Sequence, residues 1–186
     1  MSINLLQVVN RENLLSENFV PKRLITIINR ERNVVRTPIY VWKAFKKMAK
    51  VAENYGQYLD LTSGFRSYQR QAELFDLFVK EYGYEEAIHM VARPGASEHQ
   101  LGLGIDISIS IDGKMRSDAE SFKWVHENCE YFGFILRYKT EFQDVTGVMY
   151  EPWHLRYIGL HFSLKIMENP ILKAFPLEEL VDQNLL

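Results

Sequence analysis

"GASEHQLGLGIDISIS" occupies residues 95–110, and its reading decides the fold. Continued through Ile111, Asp112, Gly113, Lys114 and Met115, it reads as a strand that enters a hairpin, because Asp-Gly tolerates the positive φ angles of a two-residue turn. The same stretch sets His99 seven residues ahead of Asp106. In a regular strand an odd offset puts two side chains on opposite faces. His99 must therefore lie before the strand, in the "GASEHQ" loop, with Asp106 inside it.

Working outward, a helix is expected over residues 38–55, with Thr37 as N-cap, Pro38 at the first helical position and Gly56 just past the end. Val41, Trp42, Phe45, Met48, Ala49 and Ala52 recur along it at helical steps and form a core-facing stripe. The short strand "YLDLTSG" precedes a second helix over residues 68–82, which is expected to bury Leu74, Phe75, Phe78 and Val79 and ends at Gly83. A third helix opens at Ser117, with Glu120 completing a capping box, and closes at Gly133. "GFILRY" and "GVMYEPWHLRYIG" read as two further strands joined by a polar turn over residues 139–146. The tail reads as helical around "HFSLKIM" and "PLEELVDQ". Before residue 37 only "KRLITI" is strand-like, so residues 1–36 are expected to lie as a strap over the domain. The sum is one α+β domain, a small and mainly antiparallel sheet with helices packed on it.

With 186 residues the chain is long enough to bury a real core. Twenty-two basic residues against 24 acidic ones, a formal net charge of -2, give no polyelectrolyte character for DNA, RNA or an anionic membrane. The single cysteine, Cys129, cannot form an internal disulfide and reads as a small core residue. The first residues lack a basic stretch followed by a continuous apolar run, and no later window approaches a membrane span. The expectation is a cytoplasmic protein if the chain is full length, or an exported domain whose signal has been removed. Oligomeric state is left open.

The candidate chemistry lies in His99, Asp106, Glu151 and His154. A catalytic zinc site needs about three protein ligands from His, Asp, Glu or Cys and an open position for water. His99, Asp106 and His154 offer such a set. Taken singly, His99 also fits a loop histidine, Asp106 a buried acid satisfied by backbone amides, and His154 a residue packed beside Trp153. Glu151 and His154, three apart, would split across a regular strand. Pro152 between them breaks the ladder and allows both to converge on one centre. His89 and His161 have no carboxylate partner in a suggestive setting, and His126 is expected on a solvent-exposed helix face.

Four motifs in order, "SGFRSYQRQ", "SEHQLGLGIDIS", "GFILRY" and "YEPWHLRYIG", resemble the VanY-type D-alanyl-D-alanine carboxypeptidases, of the zinc peptidase family that also includes the VanX dipeptidases. The likeness runs over residues 8–159 and looks most like the two-activity VanXY type. It implies Zn2+ held on the sheet by His99, Asp106 and His154, with Glu151 as catalytic base. Arg66 falls where the family uses an arginine near the scissile carbonyl, and Gln71 and Ser97 fall where it holds the substrate's terminal residue. The implied substrate is a D-Ala-D-Ala dipeptide or a peptidoglycan precursor pentapeptide, with cell-wall remodelling or glycopeptide resistance as the biology. Alternatives are an L,D-carboxypeptidase or muropeptide endopeptidase on the same site, or a non-catalytic zinc-containing binding module. Residues 80–93 and 139–146 are expected to set the pocket's length. One departure is visible: where the family commonly shows Gly-x-Ala-x-Asp, this chain has Gly102, Leu103, Gly104, Ile105 and Asp106. Glycine for alanine keeps the site small.

Overall fold

The structure is a computed structural model that describes residues 4–186. Residues 4–23 form neither helix nor strand, but Val9 and Leu15 are buried in the main core. The chain then enters a hairpin of β1 (Leu24–Ile28) and β2 (Val34–Pro38), in antiparallel register from Leu24↔Pro38 to Ile28↔Val34. Strand β1 falls in the strand-like run "KRLITI", whereas β2 begins in the part of the strap where no strand is expected. Its pairing also displaces the start of α1 (Ile39–Ala52): Thr37 stays in the strand opposite Ile25, and Pro38, at ψ 139°, becomes the N-cap. Cross-strand hydrogen bonds hold the backbone extended one residue further than the capping pattern implies. Val41, Phe45, Met48 and Ala52 form the buried stripe of α1 as expected.

After a 3-10 turn that ends at Gly56 come β3 (Gln57–Ser63), α2 (Tyr68–Tyr82), α3 (Tyr84–Met90), α4 (Glu98–Leu101), β4 (Gly104–Ile111) and β5 (Lys114–Arg116). The Ser67 hydroxyl caps α2 by accepting from Arg70 N. Of the four α2 residues expected in the core only Phe75 is buried; Leu74, Phe78 and Val79 are half-buried. Helix α2 lies at the rim of a cleft, and Leu74 and Phe78 line that cleft. Between β4 and β5, Asp112 at φ 52° and Gly113 at φ 73° make the expected turn.

The third helix is a composite: α5 (Lys123–Asn128) lies between two 3-10 turns, Ala119–Phe122 and Cys129–Phe132. Its cap is Asp118 rather than Ser117, the carboxylate accepting from Ser121 N at 3.0 Å. Asp is as good an N-cap acceptor as Ser, and the turn begins one residue later to use it. Then follow β6 (Phe134–Leu136), α6 (Gln143–Thr146), β7 (His154–Tyr157), α7 (Leu160–Glu168), α8 (Pro170–Lys173) and α9 (Leu177–Asp182). The turn expected over residues 139–146 is a 3-10 turn running into α6.

All pairings are antiparallel, in the order β3-β4-β7-β6, with β5 on the end of β4. Alternation along β4 gives the sheet two different faces. Ile105, Ile107 and Ile109 point into the core shared with α1, each side chain contributing about 1.5–3 kcal/mol by its burial. Gly104, Asp106 and Ser108 share the other face. A second apolar cluster, built on Ile135, Ile158, Ile166, Leu172, Leu177 and Leu180, holds α7 to α9 against the end of the sheet. Among the described residues no helix is long and apolar enough to cross a membrane.

Candidate active site

The register of β4 and β7 sets Asp106 directly opposite His154, and residues directly opposite one another present their side chains on the same face. The carboxylate meets the imidazole, Oδ1 to Nδ1, at 3.0 Å. His99 arrives from α4, before the strand, and its Nε2 lies 3.2 Å from Asp106 Oδ2. One ligand atom from each of the three lies within 4.8 Å of the other two, a grouping that can hold a metal ion. The odd offset from His99 to Asp106 is resolved as expected, with one residue ahead of the strand and the other within it.

Each imidazole has its remote nitrogen fixed, which leaves the near nitrogen for the centre. His99 Nδ1 lies 2.7 Å from Gly64 O. His154 Nε2 faces Glu98 Oε2 at 3.5 Å. Two features bring Gly64 there. Strand β3 shifts register between Leu61 and Ser63, a bulge of the kind that re-aims residues beside active sites. A Cβ on Gly64 would also lie 2.4 Å from Arg36 O, so only glycine permits this approach to β2. Gly104 is closely enclosed as well: a Cβ there would meet His154 Cε1 at 3.0 Å and Glu98 Cβ at 3.1 Å, so an alanine would need these side chains to shift by a few tenths of an ångström. The glycine that departs from the family pattern is where the imidazole and Glu98 close on the strand. Burial alone would raise the Asp106 carboxyl, but His99 and His154 outweigh it and hold the group well below the usual carboxylate range.

Around this centre the cleft of about 170 Å³ is lined by Arg66, Gln71, Ser97, Glu151 and the three ligand candidates, with Met90, Val91 and Ala92 along one side. All seven residues singled out in the sequence therefore share one cleft. Glu151 sits outside β7, its carboxylate 3.6 Å from His154 Nδ1, as the proline break implies. Burial raises Glu151 to about 7, against the lowering pull of His154 and Arg66. Arg66 points at the same place, its Nη2 3.7 Å from Asp106 Oδ2. Gln71 is wholly buried and occupied at both ends: its carbonyl accepts from Arg66 Nη1 at 3.0 Å and its amide donates to Ala92 O at 2.6 Å. Ser97 is the N-cap of α4, its hydroxyl accepting from His99 N. Of residues 80–93, Met90, Val91 and Ala92 line the cleft. Residues 139–146 do not line it, although Thr146 reaches an adjoining cavity of about 140 Å³.

Several participants escape the sequence reading. Glu98, fully buried, accepts from Arg137 Nε at 2.8 Å and Arg156 Nη1 at 2.7 Å while facing His154. Burial opposes its ionisation, but the two guanidinium groups hold its carboxyl well below the usual range. Arg137 also pairs with Glu178 of α9, so the C-terminal helices are tied to the ligand candidate His154 through three charged side chains, Glu178, Arg137 and Glu98. The available signal is an arginine set among apolar residues in "GFILRY" and "WHLRYIG". His126 is not solvent-exposed as expected. It is half-buried, stacked on Phe122, with Nε2 2.9 Å from Pro152 O. The aromatic and apolar residues of α5 turn that face inward.

A model of the VanY family, described as D-alanyl-D-alanine carboxypeptidase, matches residues 36–160. The chain belongs to the VanY family. It is 37% identical over 179 residues to the putative carboxypeptidase YodJ of Bacillus subtilis (strain 168), an alignment that covers 90% of this chain and 65% of that protein. A D-alanyl-D-alanine carboxypeptidase of Enterococcus faecalis (strain ATCC 700802 / V583) is 38% identical, with 85% of this chain and 60% of the relative covered. The chain thus spans less than two thirds of the length of these two curated relatives. Among solved structures, the LdcB LD-carboxypeptidase superposes with a TM-score of 0.81 at 35% identity, covering 96% of this chain and 86% of that one. A mutant of the vancomycin resistance D,D-pentapeptidase VanY from a VanB-type cassette, in complex with Zn(II), superposes at 0.79 and 33%, covering 95% and 98%.

Proposed function

We propose that this chain is a zinc-dependent D,D-carboxypeptidase that removes the terminal D-alanine from peptides ending in D-Ala-D-Ala. The observation that carries the reading is the convergence of Glu151 and Arg66 on the His99, Asp106 and His154 group. The donor set fits zinc: two imidazoles with their remote nitrogens engaged and one ionised carboxylate. A zinc ion held there would supply Lewis acidity to water and to the scissile carbonyl. Glu151 takes the proton of the attacking water and returns it to the leaving amine of D-alanine, and a carboxyl held near neutrality suits both halves of that transfer. Arg66 donates to the oxygen on which charge develops. Gln71 fixes the guanidinium for that task, and Ser97 lines the cleft where the terminal residue would sit.

The substrate is proposed to be longer than a dipeptide. The adjoining cavity shares Ala92, Tyr138 and Val148 with the cleft, and Arg11 and Arg93 line it. It offers room and positive charge for a longer peptide. The superposition on LdcB favours a second reading, an L,D-carboxypeptidase acting on tetrapeptides with the same centre.

The test is D-alanine release, followed by mass spectrometry, from D-Ala-D-Ala, a pentapeptide ending in D-Ala-D-Ala and a tetrapeptide ending in D-Ala, each with zinc and with chelator. Chelator-sensitive cleavage of the pentapeptide supports the proposal. Cleavage of the tetrapeptide alone moves the chain to the L,D class, and cleavage of none of the three sinks the peptidase reading.

A further inference from the structure

The turn that presents Glu151 is held at an unusual point. Glu151 N donates to Tyr138 O at 3.1 Å, which sets one end. The next three carbonyls, those of Glu151, Pro152 and Trp153, each have a donor. Glu151 O accepts from His154 N at 3.1 Å, and Trp153 O accepts from Ile107 N at 3.1 Å in β4. Pro152 O accepts from His126 Nε2 at 2.9 Å. Only this middle donor is a side chain, so only it can be removed without disturbing the backbone. Pro152 is buried, and a buried carbonyl left without a partner is costly. The imidazole is itself held, stacked on the buried Phe122 at 6.1 Å between centroids, one turn before it on the segment that packs Val125 into the core.

We infer that His126 is a positioning residue, whose Nε2–H clamps the Pro152 carbonyl and so aims the Glu151 carboxylate at the water it deprotonates. The inference rests on the reading of Glu151 as general base. The Glu151 carboxylate makes no hydrogen bond to another side chain among the described residues, and its contact with His154 is 3.6 Å long. Its aim therefore depends on the backbone that carries it. A displacement of about 1 Å at a reacting group can cost on the order of a hundredfold in rate. Burial lowers the His126 pKa, in keeping with a neutral ring whose Nε2 carries the proton.

Two variants and one spectrum test this. His126→Ala should lower kcat by about tenfold on the best D-alanine peptide and leave KM within roughly twofold, because the clamp acts on the base and not on the substrate. Zinc content should stay at the wild-type level. His126→Gln, whose amide can donate to the same carbonyl, should restore most of the loss. An unchanged kcat in His126→Ala overturns the inference, as does an equal loss in both variants, which would mark His126 as packing alone. If His126→Ala does not fold, His126→Leu, which fills the space without a donor, takes its place, with the same loss expected and an unchanged kcat overturning the inference. Histidine-labelled protein, with and without zinc, adds a readout independent of turnover: a long-range 1H–15N spectrum should show His126 as the Nε2–H tautomer. The Nδ1–H tautomer would refute the clamp. If the wild-type protein cleaves no D-alanine peptide, the functional reading falls, and this spectrum alone decides the clamp.

Discussion

At the scale of single residues, Glu151 and Arg66 differ in what their loss should do. Glu151→Ala removes a proton carrier and no ligand, so kcat should fall by about 10²–10⁴ while zinc is retained, which metal analysis of the purified variant checks. Arg66→Ala removes one donor to a developing charge, with an expected loss of about 10²–10³ in kcat. Wild-type turnover in either variant would remove that residue from its role. The sign of the pH dependence follows from the base. Burial holds Glu151 up to about 7, and the positive charge of a bound metal would draw it lower. The ionised form is the active one, so kcat/KM should rise with pH along an acid limb whose midpoint lies at or below about 7. A limb centred well above that, or one that persists in the residual activity of Glu151→Gln, would assign the titration to another group. Spacing alone offers two separate pairs, His99 with Asp106 around a strand start and Glu151 with His154 around a proline break, and it is the four ordered motifs of the family resemblance that join them into one set of ligand candidates and base. Glu98, Arg137 and Arg156 are not, since a charged residue is read first as solvent-facing, and only the apolar residues around the two arginines show otherwise.

Single elements carry these residues, and β4 carries most of the design. Its alternation puts three isoleucines into the core and Asp106 on the opposite face, and its register with β7 brings His154 across. The reading of this strand and its hairpin holds because two local signals agree, the apolar alternation and the Asp-Gly turn. Strand β2 escapes because "VVRTP" is short and runs straight into a helix whose own pattern claims Pro38. Helix α2 is found at the right place but given the wrong surroundings: periodicity identifies an apolar face without saying whether core or cleft lies beyond it. The charged group that joins α4, β7, α9 and the residue that follows β6 gives a prediction at this scale. Glu98→Ala would leave Arg137 and Arg156 buried without their shared carboxylate, with an expected cost of about 3–5 kcal/mol. Denaturant unfolding measures it, and a change below about 1 kcal/mol would mean that water or Glu178 can replace Glu98.

For the molecule as a whole, the metal should act as a cross-link, since its ligand candidates come from α4, β4 and β7. Zinc at about a hundred times its Kd should add about 2.7 kcal/mol, which for a chain of this length is roughly 5–10 °C in Tm. Asp106→Asn should lose most of that increment, and a Tm indifferent to zinc and to chelator would argue against a site built into the fold. The described part of the N-terminal stretch is bound in just as firmly. Arg156 Nη2 donates to Leu5 O at 3.1 Å and Gln7 O at 2.8 Å, and Gln100 donates to Ser16 O at 2.8 Å. These partners are separated by 151, 149 and 84 positions along the chain. A ribosome adds about 5–20 residues each second, so Leu5, Gln7 and Ser16 wait several seconds, at least, before the side chains that secure them are made. His154 emerges just ahead of Arg156, so the last ligand candidate and the anchor of the first segment appear together. On the nascent chain, the anchoring of Leu5 and Gln7 and the completion of the ligand set are thus events of the same moment.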